Sequence, residues 1–179
     1  MEEQVILVDK KDNVIGKAGK LEAHQKGLLH RALSVFIFNS KGEILLQQRA
    51  AHKYHTPNLW SNTACSHPRN NELLKYAAER RLKEEMGLEC NLYYAFNFLY
   101  RTKFSNELIE NELDHVFIGF SDEKPKPNPS EVKNYRHINS CDLIKEMNEN
   151  PNIFTPWFKI CVDRVLKVKS IFEKEVLIA

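Results

Sequence analysis

The segment Glu72–Leu88, ELLKYAAERRLKEEMGL, carries two overlapping patterns. Leu74, Ala78, Leu82 and Met86 recur every fourth residue with Leu73 and Ala77 beside them, which predicts an amphipathic helix stopped by Gly87. On that helix Arg81, Glu84 and Glu85 stand at i, i+3 and i+4 and therefore share a face. A charged helical face is ordinarily a solvated lattice of ion pairs. The longer spacing around it argues for more.

Glu72, Arg80, Leu82, Glu84, Glu85, Gly87 and Leu88 fit the pattern Gly-x5-Glu-x7-Arg-Glu-U-x-Glu-Glu-x-Gly-U, where U is aliphatic. The segment thus resembles the Nudix box. The resemblance implies an α+β fold, an α/β/α sandwich with a mixed β-sheet between helices. Two positions depart from the pattern: Ser66 replaces the opening glycine, and Arg81 replaces the glutamate after Arg80. In Nudix hydrolases that glutamate belongs to a carboxylate cluster holding several divalent cations, for which hard oxygen donors are suited. Exchanging it for arginine removes a ligand and adds a planar donor matched to phosphate. Retention of a diphosphate site with loss of hydrolysis is the expectation.

Working outward, VILVD (5–9) reads as a strand closed by the KKDN turn, and LHRALSVFIFN (29–39) with EILLQQR (43–49) as a hairpin about Ser40-Lys41-Gly42. A polar loop, AAHKYHTPNLW (50–60), leads into NTACSHP (62–68). Two strand-like runs follow, LYYAFNFLYRTKF and NELDHVFIGF, joined by SNELIE. DEKPKPNPSEV is a solvated loop rather than a boundary, because too little chain follows for a second core. YRHINS is read as a strand, Cys141–Glu149 as a short helix, and Thr155 onward as a longer one. Residues 1–179 are expected to form one domain.

Composition excludes several classes. The 179 residues are 42 % hydrophobic and 28 % charged with net charge +2, an ordinary soluble balance that does not call for nucleic acid. No apolar run approaches the roughly 20 residues of a membrane span, and the N-terminus lacks a secretory pattern. The four cysteines, Cys65, Cys90, Cys141 and Cys161, show no paired spacing, so neither a disulfide framework nor a zinc knuckle is expected. A cytoplasmic protein, monomeric or weakly dimeric, with no membrane or nucleic-acid partner is the expectation. Within NTACSHP, Cys65 stands two residues before His67; taken alone it could be a nucleophile, a ligand, a proton donor or a small filler.

Taken in order, KLEAH, LHRALSVFIFNSKGEILLQQR, NLWSNTACSHP, ERRLKEEMGLE, LYR, ENE and TPWF make most of the chain resemble the type I isopentenyl-diphosphate isomerases, a Nudix-fold family. The resemblance implies a divalent metal site at His24, His30, His67, Glu110 and Glu112, for Mn²⁺, Mg²⁺ or Zn²⁺. It implies proton transfer by Cys65 and Glu112 from opposite sides, with Tyr100 assisting on the glutamate side. Lys20, Arg49, Lys53 and Arg81 would hold the diphosphate, bridged by Mg²⁺ to Glu85 and the Cys65 carbonyl, and the Trp157 indole would face the carbocation. His52, His55, His115 and His137 match no ligand position and are assigned ordinary surface or core roles, and Trp60 a core role. The interval from His24 to His30 is read as a loop. Two other readings stand beside this one: a Nudix hydrolase of a nucleoside diphosphate-X compound, and a non-catalytic Nudix-fold binder.

Overall fold

A computed structural model describes residues 3–53, 55–104 and 106–176. Among these, nine strands form one sheet. The first hairpin pairs β1 (Gln4–Val8) with β2 (Val14–Gly19) and runs into α1 (Lys20–Lys26). Next come β3 (His30–Phe38), β4 (Ile44–Arg49), and the short β5 (Trp60–Ser61) and β6 (Ala64–Ser66). Helix α2 (Leu74–Met86) precedes the long hairpin β7 (Leu92–Lys103) and β8 (Ile109–Phe120). Strand β9 (Val132–Ile138), α3 (Ser140–Glu149), a 3-10 turn at Pro151–Ile153 and α4 (Pro156–Val176) complete the order.

The sheet is mixed: β3 pairs in parallel with β8, whereas β1, β4 and β6 pair antiparallel to β3. Both faces of β3 are covered, which explains its nearly unbroken apolar run. Leu33, Val35 and Ile37 pack with Ala77, Ala78, Leu82 and Met86 of α2. Phe36 and Phe38 pack on the other side with Leu143 of α3 and with Phe158, Val162 and Val165 of α4. Side-chain alternation along a strand thus divides one sequence run between two helical layers. The expected α/β/α layering and mixed sheet are both present.

The differences lie at the N-terminal end. VIGKAG (14–19) pairs with β1 as β2, although two glycines weaken its strand signal. The stretch holding His24, expected as loop, is helix α1, closed by Gly27 at φ +62°. Helix α4 follows the expectation from Thr155 onward as far as Val176; residues 177–179 lie outside the description. Trp60 is only half-buried, with the Arg136 guanidinium 4.2 Å from its ring centroid. No helix among the described residues is long and apolar enough to cross a membrane.

Gly87 ends α2 in the left-handed region at φ +64°, its N–H bonded to the Lys83 carbonyl. A Cβ there would stand 2.8 Å from the Lys126 carbonyl oxygen. Gly87→Ala should therefore destabilise the fold by at least about 1–2 kcal/mol, the cost of a left-handed L-residue before the clash is added. Urea unfolding at an unchanged m-value measures it, and an unshifted midpoint would refute the account.

Candidate active site

The polar centre follows from strand register. His30 of β3 lies directly opposite Glu112 of β8, and Tyr100 of β7 opposite Glu112 from the other side. Glu110, Glu112 and Asp114 alternate along β8 and share one face; Val116 and Ile118 continue that face into the core under α4. The same face of β3 runs from His30 and Ser34 to Phe36 and Phe38. A polar site and an apolar core therefore occupy successive lengths of the same two strands.

Glu110 and Glu112 are buried and joined through the Tyr100 hydroxyl, which donates to Glu112 Oε2 at 2.5 Å and also bonds Glu110 Oε2. Glu112 Oε1 faces His67 Nε2 at 3.0 Å and His30 Nε2 at 3.3 Å. Glu110 Oε1 faces His55 Nε2 at 3.1 Å and His24 Nε2 at 3.8 Å. Burial pushes Glu110 well above the usual carboxylate range, and the adjacent Glu112 charge adds to this. Burial acts on Glu112 in the same direction, yet the His30 and His67 imidazoles beside its Oε1 bring it well below that range. Asp114, accepting 2.7 Å from the Ser34 hydroxyl, is pushed up to about 8, by burial first and then by Glu112.

The imidazoles fit a cation. His24 Nδ1 lies 2.6 Å from the Lys20 carbonyl and His30 Nδ1 2.8 Å from the Leu28 carbonyl. Each Nδ1–H donates to backbone, which leaves Nε2 with a lone pair turned toward the carboxylates. Burial holds His67 down to about 4 and lowers His24, so these rings are neutral near pH 7. His30 Nε2 is buried and makes no hydrogen bond, with Glu112 Oε1 beside it. Two lone pairs that face each other in a buried site are satisfied by a cation between them. Donor atoms of His24, His30, His67 and Glu112 lie within 4.8 Å of one another, as do those of His24, His55 and Glu110.

Cys65 enters from the other side of β3. It lies on β6 opposite Ser34, so β3 separates it from β8 by two strand spacings, roughly 9–10 Å. Cys65 and Glu112 line one cavity of about 170 Å³. Burial pushes the Cys65 thiol up to about 12, although Arg49, with Nη1 3.6 Å from Sγ, works the other way. Trp157, buried in the wall, donates Nε1–H to Asn62 Oδ1 at 3.0 Å. Lys20, Arg49, Lys53 and Arg81 reach the same cavity from separate elements. Each lysine already has a carboxylate partner: Lys20 bonds Glu3 at 3.0 Å, and Lys53 bonds Glu131.

Helix α2 supports this wall through the motif residues. Arg80 is bidentate to Glu72 at 2.7 and 2.8 Å and reaches Glu84 at 3.0 Å, tying the loop before the helix to its last turns. Glu85 is buried behind the cavity wall, its Oε1 taken by Arg81 at 2.8 Å and its Oε2 by Gln47 at 2.7 Å. The other residues singled out from sequence gather around one centre; Glu85 stands behind it, reached through Arg81. Asp114, not singled out from sequence, and His55, given an ordinary surface or core role, also line this cavity. Asp114 was legible, because it continues the alternation of Glu110 and Glu112. His55 sits in a loop with no period to place it, yet it is buried against Glu110. His115 is also buried, 3.3 Å from Asp12 and away from this cavity, while His52 and His137 are exposed.

The NUDIX domain family matches residues 28–158. Isopentenyl-diphosphate Delta-isomerase 2 of Aromatoleum aromaticum is 51 % identical over 171 residues, covering 96 % of this chain and 90 % of the relative. The isopentenyl-diphosphate Delta-isomerase of Pectobacterium atrosepticum is 46 % identical, with 96 % of each chain covered. In fold, DR0079 from Deinococcus radiodurans aligns with a TM-score of 0.73 at 16 % identity over 92 % of this chain and 98 % of its own. The MutT protein of Methanosarcina mazei gives 0.62 at 20 % identity, over 76 % and 91 %.

Adding Mn²⁺ to metal-free protein should raise Tm, since a ligand at a hundred times its Kd contributes about 2.7 kcal/mol. The rise should shrink as pH falls, because protons compete for the same nitrogens and oxygens. Glu112→Gln should lose most of the rise; an unchanged rise would exclude Glu112 as a ligand.

Proposed function

The chain belongs to the Nudix superfamily and, within it, to the isopentenyl-diphosphate Delta-isomerases, and from that premise we propose how its residues divide the work. The protein interconverts isopentenyl and dimethylallyl diphosphates. What carries the site assignment is the arrangement of Cys65 on one side of β3 and the Glu110–Tyr100–Glu112 cluster on the other, around a single cavity with basic walls.

The chemistry adds a proton at one end of an allylic unit and removes one from the other. Protonation of the terminal methylene leaves a tertiary carbocation; loss of the C2 proton then places the double bond between C2 and C3. One group must hold a proton while the opposite group is free to accept one. Cys65 is kept as the neutral thiol by burial, and Glu112 is kept ionised, so the two begin in complementary states. The Tyr100 hydroxyl, bonded to both carboxylates, passes a proton between the glutamates without either side chain moving. Reversal uses the same groups with their protons exchanged. Trp157 turns its indole toward the cavity, where a desolvated cation–π contact is worth ~2 kcal/mol or more.

His24, His30, His67, Glu110 and Glu112 would hold a divalent ion, Mn²⁺, Mg²⁺ or Zn²⁺, whose positive charge supplies the means to keep two buried carboxylates together. Arg49, Lys20, Lys53 and Arg81 would hold the diphosphate oxygens, and a Mg²⁺ bound with them would supply further charge neutralisation. Glu85 and the Cys65 carbonyl are the groups that would hold that ion. Diphosphate is thereby anchored and not cleaved, because Arg81 occupies the face where a hydrolase gathers carboxylates. A cytoplasmic location, a single domain over residues 1–179, and a monomeric or weakly dimeric state complete the proposal.

Incubation with Mg²⁺ and isopentenyl diphosphate in deuterated water should give dimethylallyl diphosphate carrying deuterium. Release of inorganic phosphate from nucleotide substrates, with no deuterium entering product, would favour the hydrolase reading. Cys65→Ala should lower turnover by more than about a hundredfold, at the lower end of what a positioned acid–base group supplies. Its metal content and unfolding midpoint should stay near wild type, and equal activity in that variant would remove Cys65 from the mechanism.

A further inference from the structure

His55 belongs to no motif in the sequence, yet the fold delivers it to the carboxylate pair. It stands in the loop between β4 and β5 at 8 % exposure. Its Nε2 lies 3.1 Å from Glu110 Oε1, and its Nδ1 lies 3.1 Å from Thr56 Oγ1. The ring stacks on Phe104 with centroids 5.3 Å apart and planes 11° from parallel. Its edge meets Trp157 at 6.1 Å, and Arg49 Nη2 donates to its carbonyl at 3.4 Å. Thr56 and Asn58 bend the loop at φ +47° and +61°. Backbone, aromatic stacking and a cavity-wall arginine therefore all fix this one ring.

We propose that His55 is a positioning residue for Glu110. The Thr56 hydroxyl donates to Nδ1 and selects the tautomer with hydrogen on Nε2, and Nε2–H donates to Glu110 Oε1. The terminal torsion of a glutamate is broad and about two-fold, so an unanchored carboxylate samples many orientations. With Oε1 held by His55, Oε2 is directed at the Tyr100 hydroxyl. Glu112 is arranged in the same way, with His30 and His67 at Oε1 and Tyr100 at Oε2. At Glu110 Oε1 the two places are taken by His55 at 3.1 Å and His24 at 3.8 Å, and of these His55 is the donor. This inference rests on the assignment of Glu110 to the metal- and proton-handling cluster proposed above. Outer partners that orient ligating side chains typically control metal affinity or activity by roughly 10–100-fold.

Two variants separate the N–H from the ring. His55→Phe keeps the stack on Phe104 and removes both nitrogens; His55→Gln returns an N–H donor. Circular dichroism and thermal unfolding establish that each is folded. Mn²⁺ dissociation constants are measured by competition with a chelator on resting protein, and kcat and KM on the assembled enzyme. His55→Phe should weaken Mn²⁺ binding and lower kcat by roughly 10–100-fold each, with KM for isopentenyl diphosphate within about twofold. His55→Gln should recover most of both. Wild-type Mn²⁺ affinity and kcat in folded His55→Phe would overturn the proposal, as would His55→Gln performing no better than His55→Phe. Wild-type protein that binds no Mn²⁺ would overturn the cluster assignment, and this inference with it; wild-type binding alongside an unaffected His55→Phe removes His55 alone.

Discussion

Two carboxylates buried side by side on one strand are the constraint around which this protein is built. Neighbouring negative charges removed from water repel strongly and lose their hydration, so Glu110 and Glu112 exist together only with compensation close at hand. The groups able to hold a compensating cation, or to donate a hydrogen bond, come from every direction. His30 arrives by register from β3, His67 from the segment after β6, His24 from α1, His55 from a loop, and the Tyr100 hydroxyl from β7. Elements as distant in sequence as the first helix and the β7–β8 hairpin are thereby tied to one point.

The cost of that arrangement is confined by geometry. Along β3 and β8 the face turned toward α4 is polar for its first half and apolar for its second, and the change falls between Ser34 and Phe36 and between Asp114 and Val116. Hydrophobic burial under α3 and α4 thus adjoins the site directly, and it carries the stability that the buried charges do not. Trp157 belongs to both regions, packed in the core cluster while lining the cavity.

Much of this was legible in the sequence because periodicity fixes where side chains point. Helix α2 announces itself through Leu74, Ala78, Leu82 and Met86, and its charged residues then fall into register with no further information. Glu110 and Glu112 likewise advertise a shared face by their spacing. What stayed hidden depends on tertiary contact. Helix α1 is two turns long, too short to hold by propensity, and is fixed through His24 and its packing. Strand β2 forms despite its glycines because β1 offers an edge. His55 is invisible for the same kind of reason: left-handed loop residues place it, and such backbone turns leave no repeating pattern. Gln47 as a partner of Glu85 was also hidden, because it comes from β4 in another layer, whereas Arg81 stands four residues away on the same helix.

Asn111, between the two glutamates, points the other way along β8, and its Nδ2 donates to the Gly27 carbonyl at 2.9 Å. That carbonyl lies at the end of the helix carrying His24. Three consecutive residues thus serve two purposes through the pleat alone, the outer pair building the centre and the middle one clamping the helix that carries His24. A one-residue slip of β8 would exchange these duties, turning an amide into the site and two charges toward the helix. Correct strand pairing and a correctly assembled centre therefore depend on the same register.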